Sequence, residues 1–184
     1  MKETIHAKGK LFELVHTEQP DGRVFEVARR APGVRLIIED DDHSILLTRE
    51  YRNELGEWDY RLPGGKVFDT LDEYEAFRSE DGDILEAARH KAVAEGREEA
   101  GIDVESLEHY KTSTLGATVE WDLYVFSVLK WHKREAGQEL ESGEQIVNDN
   151  WFTCDQVEQM IMNNEMQEER MALTLLQWMK RSRS

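Results

Sequence analysis

The chain has a single cysteine, Cys154, which excludes a disulfide framework and a cysteine zinc site within one chain. Its 6 histidines fall at no metal-binding spacing. No stretch approaches membrane-spanning length, and the opening residues MKETIHAKGKLF lack the apolar run of a signal peptide. A cytoplasmic location without a membrane partner is therefore expected. Positive charge is scarce as well: 23 basic side chains stand against 39 acidic ones, a formal charge of −16. Such a surface repels phosphate backbones and argues against nucleic acid as a partner. An anionic small molecule would need local countercharge from arginines or a divalent metal. Internal repeats and low-complexity segments are absent.

What is present suits one globular domain. At 184 residues, 39% hydrophobic and 34% charged, the chain can bury a full core and carry a small appendage. The first third has a β pattern. GKLFELVHTE and RVFEVARRA flank QPDG, a turn in which proline fixes φ and glycine frees it, so a hairpin is expected. GVRLIIE and SILLTREYR flank DDDH and read as a second hairpin, followed by the short segment EWDYRLPGG.

The middle is helical. Thr70 with Glu73 fits a capping box, and Leu71, Tyr74 and Phe77 share a helical stripe, which predicts a helix over about 71–78. Asp83 with Glu86 starts a second helix running to about Ala100, with Gly101 at its C-terminal cap. Strand pattern resumes in LEHYKTSTL and VEWDLYVFSVLKWH, the latter apolar on both faces around Leu123–Val128. REAGQELESGEQ is a polar loop. Helices follow near Asp155–Asn163 and Gln167–Lys180, the second with Met171, Leu175, Trp178 and Met179 on one stripe. This order of elements favours an α/β fold in which helices sandwich a mixed sheet.

The segment AVAEGREEAGI places Glu95, Glu98 and Glu99 on one helix face. They border a stripe of small or apolar residues, Leu85, Ala88, Ala92, Gly96 and Ala100. Carboxylates at a partly desolvated edge are costly unless neutralised, and hard divalent cations prefer oxygen ligands. The alternative is a solvated acidic face, and spacing alone leaves the two readings even.

RLPGG followed by a helix carrying these glutamates resembles the signature of the Nudix hydrolases. That pattern is glycine, five residues, glutamate, seven residues, then Arg-Glu-apolar-x-Glu-Glu-x-Gly-apolar, commonly after Leu-Pro-Gly/Ala-Gly. Glu86, Glu95, Glu98, Glu99, Gly101 and Ile102 fall in register. The chain departs from the pattern with Ala94 for the arginine and Gly96 for the apolar residue. It also has twenty residues, not five, between Gly65 and Glu86. The extra acidic stretch, at about 67–82, reads as an inserted helix. Lys91 and Arg61 are candidates to replace the missing arginine. LLTREYR, with Glu50-Tyr51-Arg52 for the usual Gln-Tyr-Arg, resembles the branch that hydrolyses ADP-ribose and other nucleoside diphosphate sugars. The C-terminal ESGEQI, the strand at Trp151 and the closing helix resemble that branch too. LPGG is closer to the generic family form than to the LPAG common in that branch.

The resemblance implies a Nudix α/β/α sandwich over 33–184, after a β segment at 1–32 that serves dimerisation and substrate contact. It implies Mg²⁺, or Mn²⁺, held by Glu95, Glu98, Glu99 and the Gly65 carbonyl. Glu98, Glu99 and Glu144 would be catalytic, with Glu144 or one of the helix glutamates taking the proton. Arg52, Gly64 and Gly65 would contact the nucleotide substrate. Among the loop glutamates Glu139, Glu141 and Glu144, the last is best placed, just before QI and Trp151; Glu86 is structural. The implied reaction converts ADP-ribose to AMP and ribose 5-phosphate in a homodimer. Other outcomes are hydrolysis of a nucleoside triphosphate or another nucleotide conjugate, and an inactive nucleotide-binding module. Of Arg29 and Arg30, at least one is expected to serve solubility alone. Trp58, Trp121, Trp131 and Tyr51 are expected in the core or an interface, and Cys154 is expected to be inert.

Overall fold

In the computed structural model, which describes residues 2–53, 56–140 and 142–183, the run GVRLII is strand β4 (Gly33–Ile38), buried at every position. Its alternate residues serve two cores. Val34, Leu36 and Ile38 pack with Ala88, Ala92, Phe126 and Val128. Ile37 packs with Leu123, Val125, Val157, Leu175 and Trp178. A strand apolar on both faces belongs inside a sandwich. Accordingly β4 runs parallel beside β9 (Leu123–Lys133), which pairs antiparallel with β7 (Ile102–Ser113).

This placement overturns the second hairpin. SILLTREYR becomes β5 (Ser44–Arg52), paired antiparallel with β10 (Ile146–Thr153) and β6 (Glu57–Arg61) in a different sheet. The acidic turn still reverses the chain, but only an isolated bridge, Glu39 to Ile45, joins the two arms there. Burial on both faces, not nearness in sequence, decides the pairing. Helix α2 (Ile84–Glu98) packs on β4, β7 and β9. Helices α3 (Cys154–Met162) and α4 (Glu169–Ser182) cover the other core. The expected α/β/α sandwich with mixed strand directions is present. No helix among the described residues is long and apolar enough to cross a membrane.

The N-terminal region is larger than one hairpin. Strands β1 (Lys2–Lys8), β2 (Phe12–Glu18), β3 (Val24–Arg30) and β8 (Val119–Glu120) form a four-stranded sheet. The stretch VEWDLYVFSVLKWH therefore splits: β8 joins β3 in parallel, and β9 enters the central sheet. Arg29, 8% exposed, ties the new sheet together by pairing with Glu3 at 2.9 Å, Glu13 at 3.1 Å and Glu120 at 2.8 Å. It is a structural residue.

The inserted segment is helix α1 (Leu71–Ser79), whose Thr70 hydroxyl accepts the Glu73 N–H at 3.2 Å. Its Leu71 and Tyr74 bury against Ala31 and Phe68, and Lys8 pairs with Asp72 and Glu75. The insertion thus docks on the N-terminal sheet. Helix α2 begins as expected, with Asp83 accepting the Glu86 N–H at 3.1 Å, and ends at Glu98, short of Ala100. β7 starts at once after Gly101, five residues before the strand expected from LEHYKTSTL. Gly96 has a packing reason. A Cβ there would lie 2.7 Å from Val104 Cγ2, so an apolar side chain would push α2 off β7.

Candidate active site

The small residues Ala88, Ala92 and Gly96 let α2 lie close to the sheet, which leaves Glu95 on the border only 4% exposed. Facing it is the turn Pro63-Gly64-Gly65, which runs along β4: Leu36 N–H donates to Pro63 O and Val34 N–H to Gly65 O, each at 2.9 Å. The turn touches the helix at two points. Gly64 N–H donates to Glu99 Oε2 at 2.7 Å. A Cβ at Gly65 would stand 2.2 Å from Glu95 Oε1, so this approach requires glycine. Lys91, one turn before Glu95, places Nζ 3.0 Å from Glu95 Oε1 and 2.8 Å from Glu98 Oε2.

The electrostatics follow from burial. Desolvation raises the Glu95 carboxyl above its ordinary range, against the pull of Lys91. Desolvation, with Glu95 as neighbour, pushes Glu99 up to about 8. Burial alone would lower Lys91, but Glu98 and Glu95 more than offset it and raise its pKa. The carboxylate cluster is short of positive charge even with Lys91 in place.

Glu95, Glu98, Glu99 and Glu144, with Lys66, Asp69 and Lys91, line a cavity of about 60 Å³. It adjoins a basic cavity of about 230 Å³ that includes Arg30, Arg35, Arg52, Arg61, Glu50 and Trp121. Gly65, Lys66, Glu99 and Glu144 line both. One lobe is anionic, the other rich in guanidinium. Arg35, 7% exposed, donates to Val34 O at 3.0 Å and to Gly64 O, and lies 3.6 Å from Glu168. Arg61 pairs with Asp59 at 3.1 Å, Glu168 at 3.0 Å and Glu50 at 3.4 Å. Arg52 bonds Glu50 at 2.8 Å. Arg30 lies 4.4 Å from the Trp121 ring centre and 5.2 Å from that of Phe12.

A turn of paired glycines clamped on an acidic helix inside an α/β/α sandwich points to one family, and residues 29–174 match its model, the NUDIX domain. The chain belongs to the NUDIX family. It is a Nudix-type pyrophosphatase, a hydrolase of phosphoanhydride bonds. The chain is also similar to a solved structure, "Crystal structure of ADP compounds hydrolase", with TM-score 0.67 and 21% identity over 99% of this chain and 96% of that one. At that identity the likeness bears on the fold. No curated protein compared with the chain matches it significantly.

Within the Nudix site, the donors are oxygens in a desolvated, charge-deficient cavity, which suits a hard divalent cation. Their arrangement is not that of a closed metal cage. Among the described residues no three carboxylate, imidazole or thiolate groups converge on one metal point. Glu95 and Glu98 close instead on the Lys91 ammonium. The Gly65 carbonyl, expected as a ligand, accepts the Val34 N–H where the turn is zipped onto β4 and keeps a second lone pair; the Gly64 carbonyl accepts from Arg35. Of the two candidates to replace the Nudix arginine, Lys91 touches the glutamates, whereas Arg61 is engaged in the basic lobe.

Glu144 lines both cavities and Arg52 the basic one. Glu139 is exposed, bonded to Arg134 and outside both cavities, and Glu141 lies outside the described residues. Glu86 is remote from the lobes and pairs with Arg89 and His90. Trp121 packs against the core, as expected, and its other side borders the basic lobe, where Arg30 and Arg170 cover its ring. Trp131 stacks on Trp151 and Tyr51 meets Trp58 edge-on. Cys154 is buried at the start of α3. Sequence reasoning missed Arg35 and Lys66. For Arg35 the signal was there: a lone charge inside the apolar run GVRLII.

Proposed function

We propose that the protein hydrolyses the diphosphate bond of a nucleoside diphosphate sugar, ADP-ribose foremost, giving AMP and ribose 5-phosphate with Mg²⁺ or Mn²⁺ as cofactor. The observation that carries this reading is the two-lobed pocket, in which an acidic cavity meets a basic one along Gly65, Glu99 and Glu144. In a chain of net charge −16, gathering Arg30, Arg35, Arg52 and Arg61 around one cavity builds a local receptor for a polyanion. Guanidinium groups pair bidentately with phosphate oxygens, so Arg52 and Arg30 orient the diphosphate toward the acidic lobe.

Glu95, Glu98 and Glu99 are the residues that hold the cation. When bound, it polarises the phosphoryl oxygens and lowers the pKa of the attacking water. Glu144, which faces both lobes, takes the proton from that water. Gly64 and Gly65 keep the substrate side open and let the turn rest on the helix glutamates. Glu50-Tyr51-Arg52 and the likeness in fold to an ADP compounds hydrolase support the nucleotide-sugar substrate. Ala94 is the feature behind the rival reading of an inactive module. The Lys91 contacts with Glu95 and Glu98 supply a positive charge to the helix glutamates despite that alanine.

A panel of ADP-ribose, other nucleotide sugars and nucleoside triphosphates tests the reading directly. With Mg²⁺ present, AMP release should be fastest from ADP-ribose, should vanish in EDTA and should return when Mg²⁺ is restored. Turnover indifferent to EDTA would sink the metal mechanism. Cleavage of triphosphates without ADP-ribose would move the substrate assignment.

A homodimer belongs to the same proposal. The N-terminal sheet leaves Ile5 51% and Phe25 48% exposed on one face and Phe12 45% and Val24 54% exposed on the other, apolar surface on two sides, at least one of which a second copy would cover. Light scattering at micromolar concentration should give twice the chain mass of 21.5 kDa. A mass of one chain would overturn this part.

A further inference from the structure

We propose that the ammonium of Lys91 is a built-in cation of the acidic lobe, standing between Glu95 and Glu98 where a divalent metal would otherwise bind. The inference rests on reading that lobe as a metal site, and goes beyond it by assigning one cation position to the chain itself.

Lys91, Glu95 and Glu98 are spaced by one and then nearly one further helical turn, so the three side chains share a face of α2. The lysine reaches both carboxylates at once, 3.0 Å to Glu95 Oε1 and 2.8 Å to Glu98 Oε2. This is no surface pair. The Glu95 side chain is 6% exposed and that of Lys91 26%, and partial desolvation strengthens the attraction over a solvated ion pair. Ala94 leaves no longer cationic side chain beside Glu95 on the adjoining face.

The convergence of the donors supports the same assignment. Two carboxylates meet at Lys91 Nζ, whereas no three donors among the described residues meet at a metal point. The lobe is folded around an ammonium. A Mg²⁺ ion sits about 2.0–2.1 Å from its oxygens, so one on the same two oxygen atoms would lie within about 5 Å of Nζ, two like charges sharing the same lone pairs. A metal held by the helix glutamates is therefore left the carboxylate oxygens that Lys91 does not contact, on the side of the cavity lined by Glu99 and Glu144, which is also the side that opens to the arginines. The site then takes one divalent cation fewer than its carboxylates alone would accept.

The test counts bound Mn²⁺, without substrate, from the electron paramagnetic resonance signal of the free ion. Wild type, Lys91→Met and Lys91→Arg are compared after their folds are checked by circular dichroism and melting. Methionine keeps the aliphatic stem and removes the charge, and the expected result is an additional Mn²⁺ bound per chain. Arginine retains the charge and should leave the wild-type stoichiometry. If folded Lys91→Met binds Mn²⁺ as wild type does, or more weakly, the lysine does not hold a metal position and the proposal is overturned, with the metal site itself intact. If neither wild type nor Lys91→Met binds Mn²⁺, the metal reading falls and takes this proposal with it. Should the methionine variant not fold, acetylation of wild-type amines decides: Lys91 should stay protected under saturating Mn²⁺. Loss of that protection would mean that the metal evicts the ammonium, and would overturn the proposal.

Discussion

Glu98→Gln and Glu99→Gln are each expected to lower kcat at least about a hundredfold, more than the loss of a group that merely supports a metal ligand. Glutamine keeps the shape and an acceptor oxygen but removes the charge that a divalent cation needs. Glu99 makes the cleaner case. Its Oε2 accepts the Gly64 N–H at 2.7 Å, a bond the amide oxygen of glutamine reproduces, so the turn stays docked. Burial already pushes its pKa up to about 8, so a neutral side chain removes a desolvated charge and the metal-free fold should keep its melting temperature. Glu98 also gives up its 2.8 Å contact with Lys91, and a small loss of stability is expected there. Glu86→Gln and Glu139→Gln are the controls, since both residues lie outside the cavities. Steady-state kinetics with thermal melts read the outcome. Near wild-type kcat at an unchanged melting temperature in Glu98→Gln and Glu99→Gln would sink the assignment of these glutamates.

The reason those glutamates could be named in advance is that their relation is local. Helical spacing alone puts Glu95, Glu98 and Glu99 on one face, and the small stripe beside them says which side of the helix is buried. The caps at Thr70 and Asp83 are local as well: each side chain accepts the N–H three residues on, although the Glu73 carboxylate takes the Asp69 N–H and leaves the expected capping box half closed. Sheet pairing is not local. GVRLII and SILLTREYR look like hairpin arms because a turn joins them, yet β4 needs apolar cover on both faces and finds it beside β9, about ninety residues on. The break between β8 and β9 has the same origin: the pattern VEWDLYVF continues through it, but two different sheets claim its two ends. The basic lobe was the least legible part. Arg61 meets Glu168 across 107 residues of chain, and Arg30 comes to rest on Trp121 across a comparable gap. Nothing in the spacing of a sequence announces such meetings. What could be read was a charge where none belongs, as with Arg35 in its apolar strand.

The site also depends on a position that carries no side chain, and Gly65→Ala is expected to cost both activity and stability. An added Cβ would stand 2.2 Å from Glu95 Oε1 and 3.0 Å from its Cδ, so one of the two must move. Neither moves freely. The Gly65 backbone is fixed by the bond from Val34 N–H at 2.9 Å, and Glu95 is 4% exposed and held by Lys91 at 3.0 Å. Relief requires the carboxylate to leave the ammonium or the turn to lift from β4, and overpacking of this kind typically costs about 1–3 kcal/mol. Either movement also disturbs the Gly64 bond to Glu99 and spoils the junction of the two lobes, where small displacements cost about a hundredfold in rate. Gly9→Ala is the comparison, because a Cβ there meets only the Phe12 carbonyl oxygen, at an ordinary 3.4 Å. The expected pattern is a lowered melting temperature and a sharply lowered kcat/KM for Gly65→Ala, with Gly9→Ala close to wild type. Equal behaviour of the two variants would mean that the close approach of the glycine turn to α2 is not needed, and that the acidic lobe tolerates a looser fit than its geometry implies.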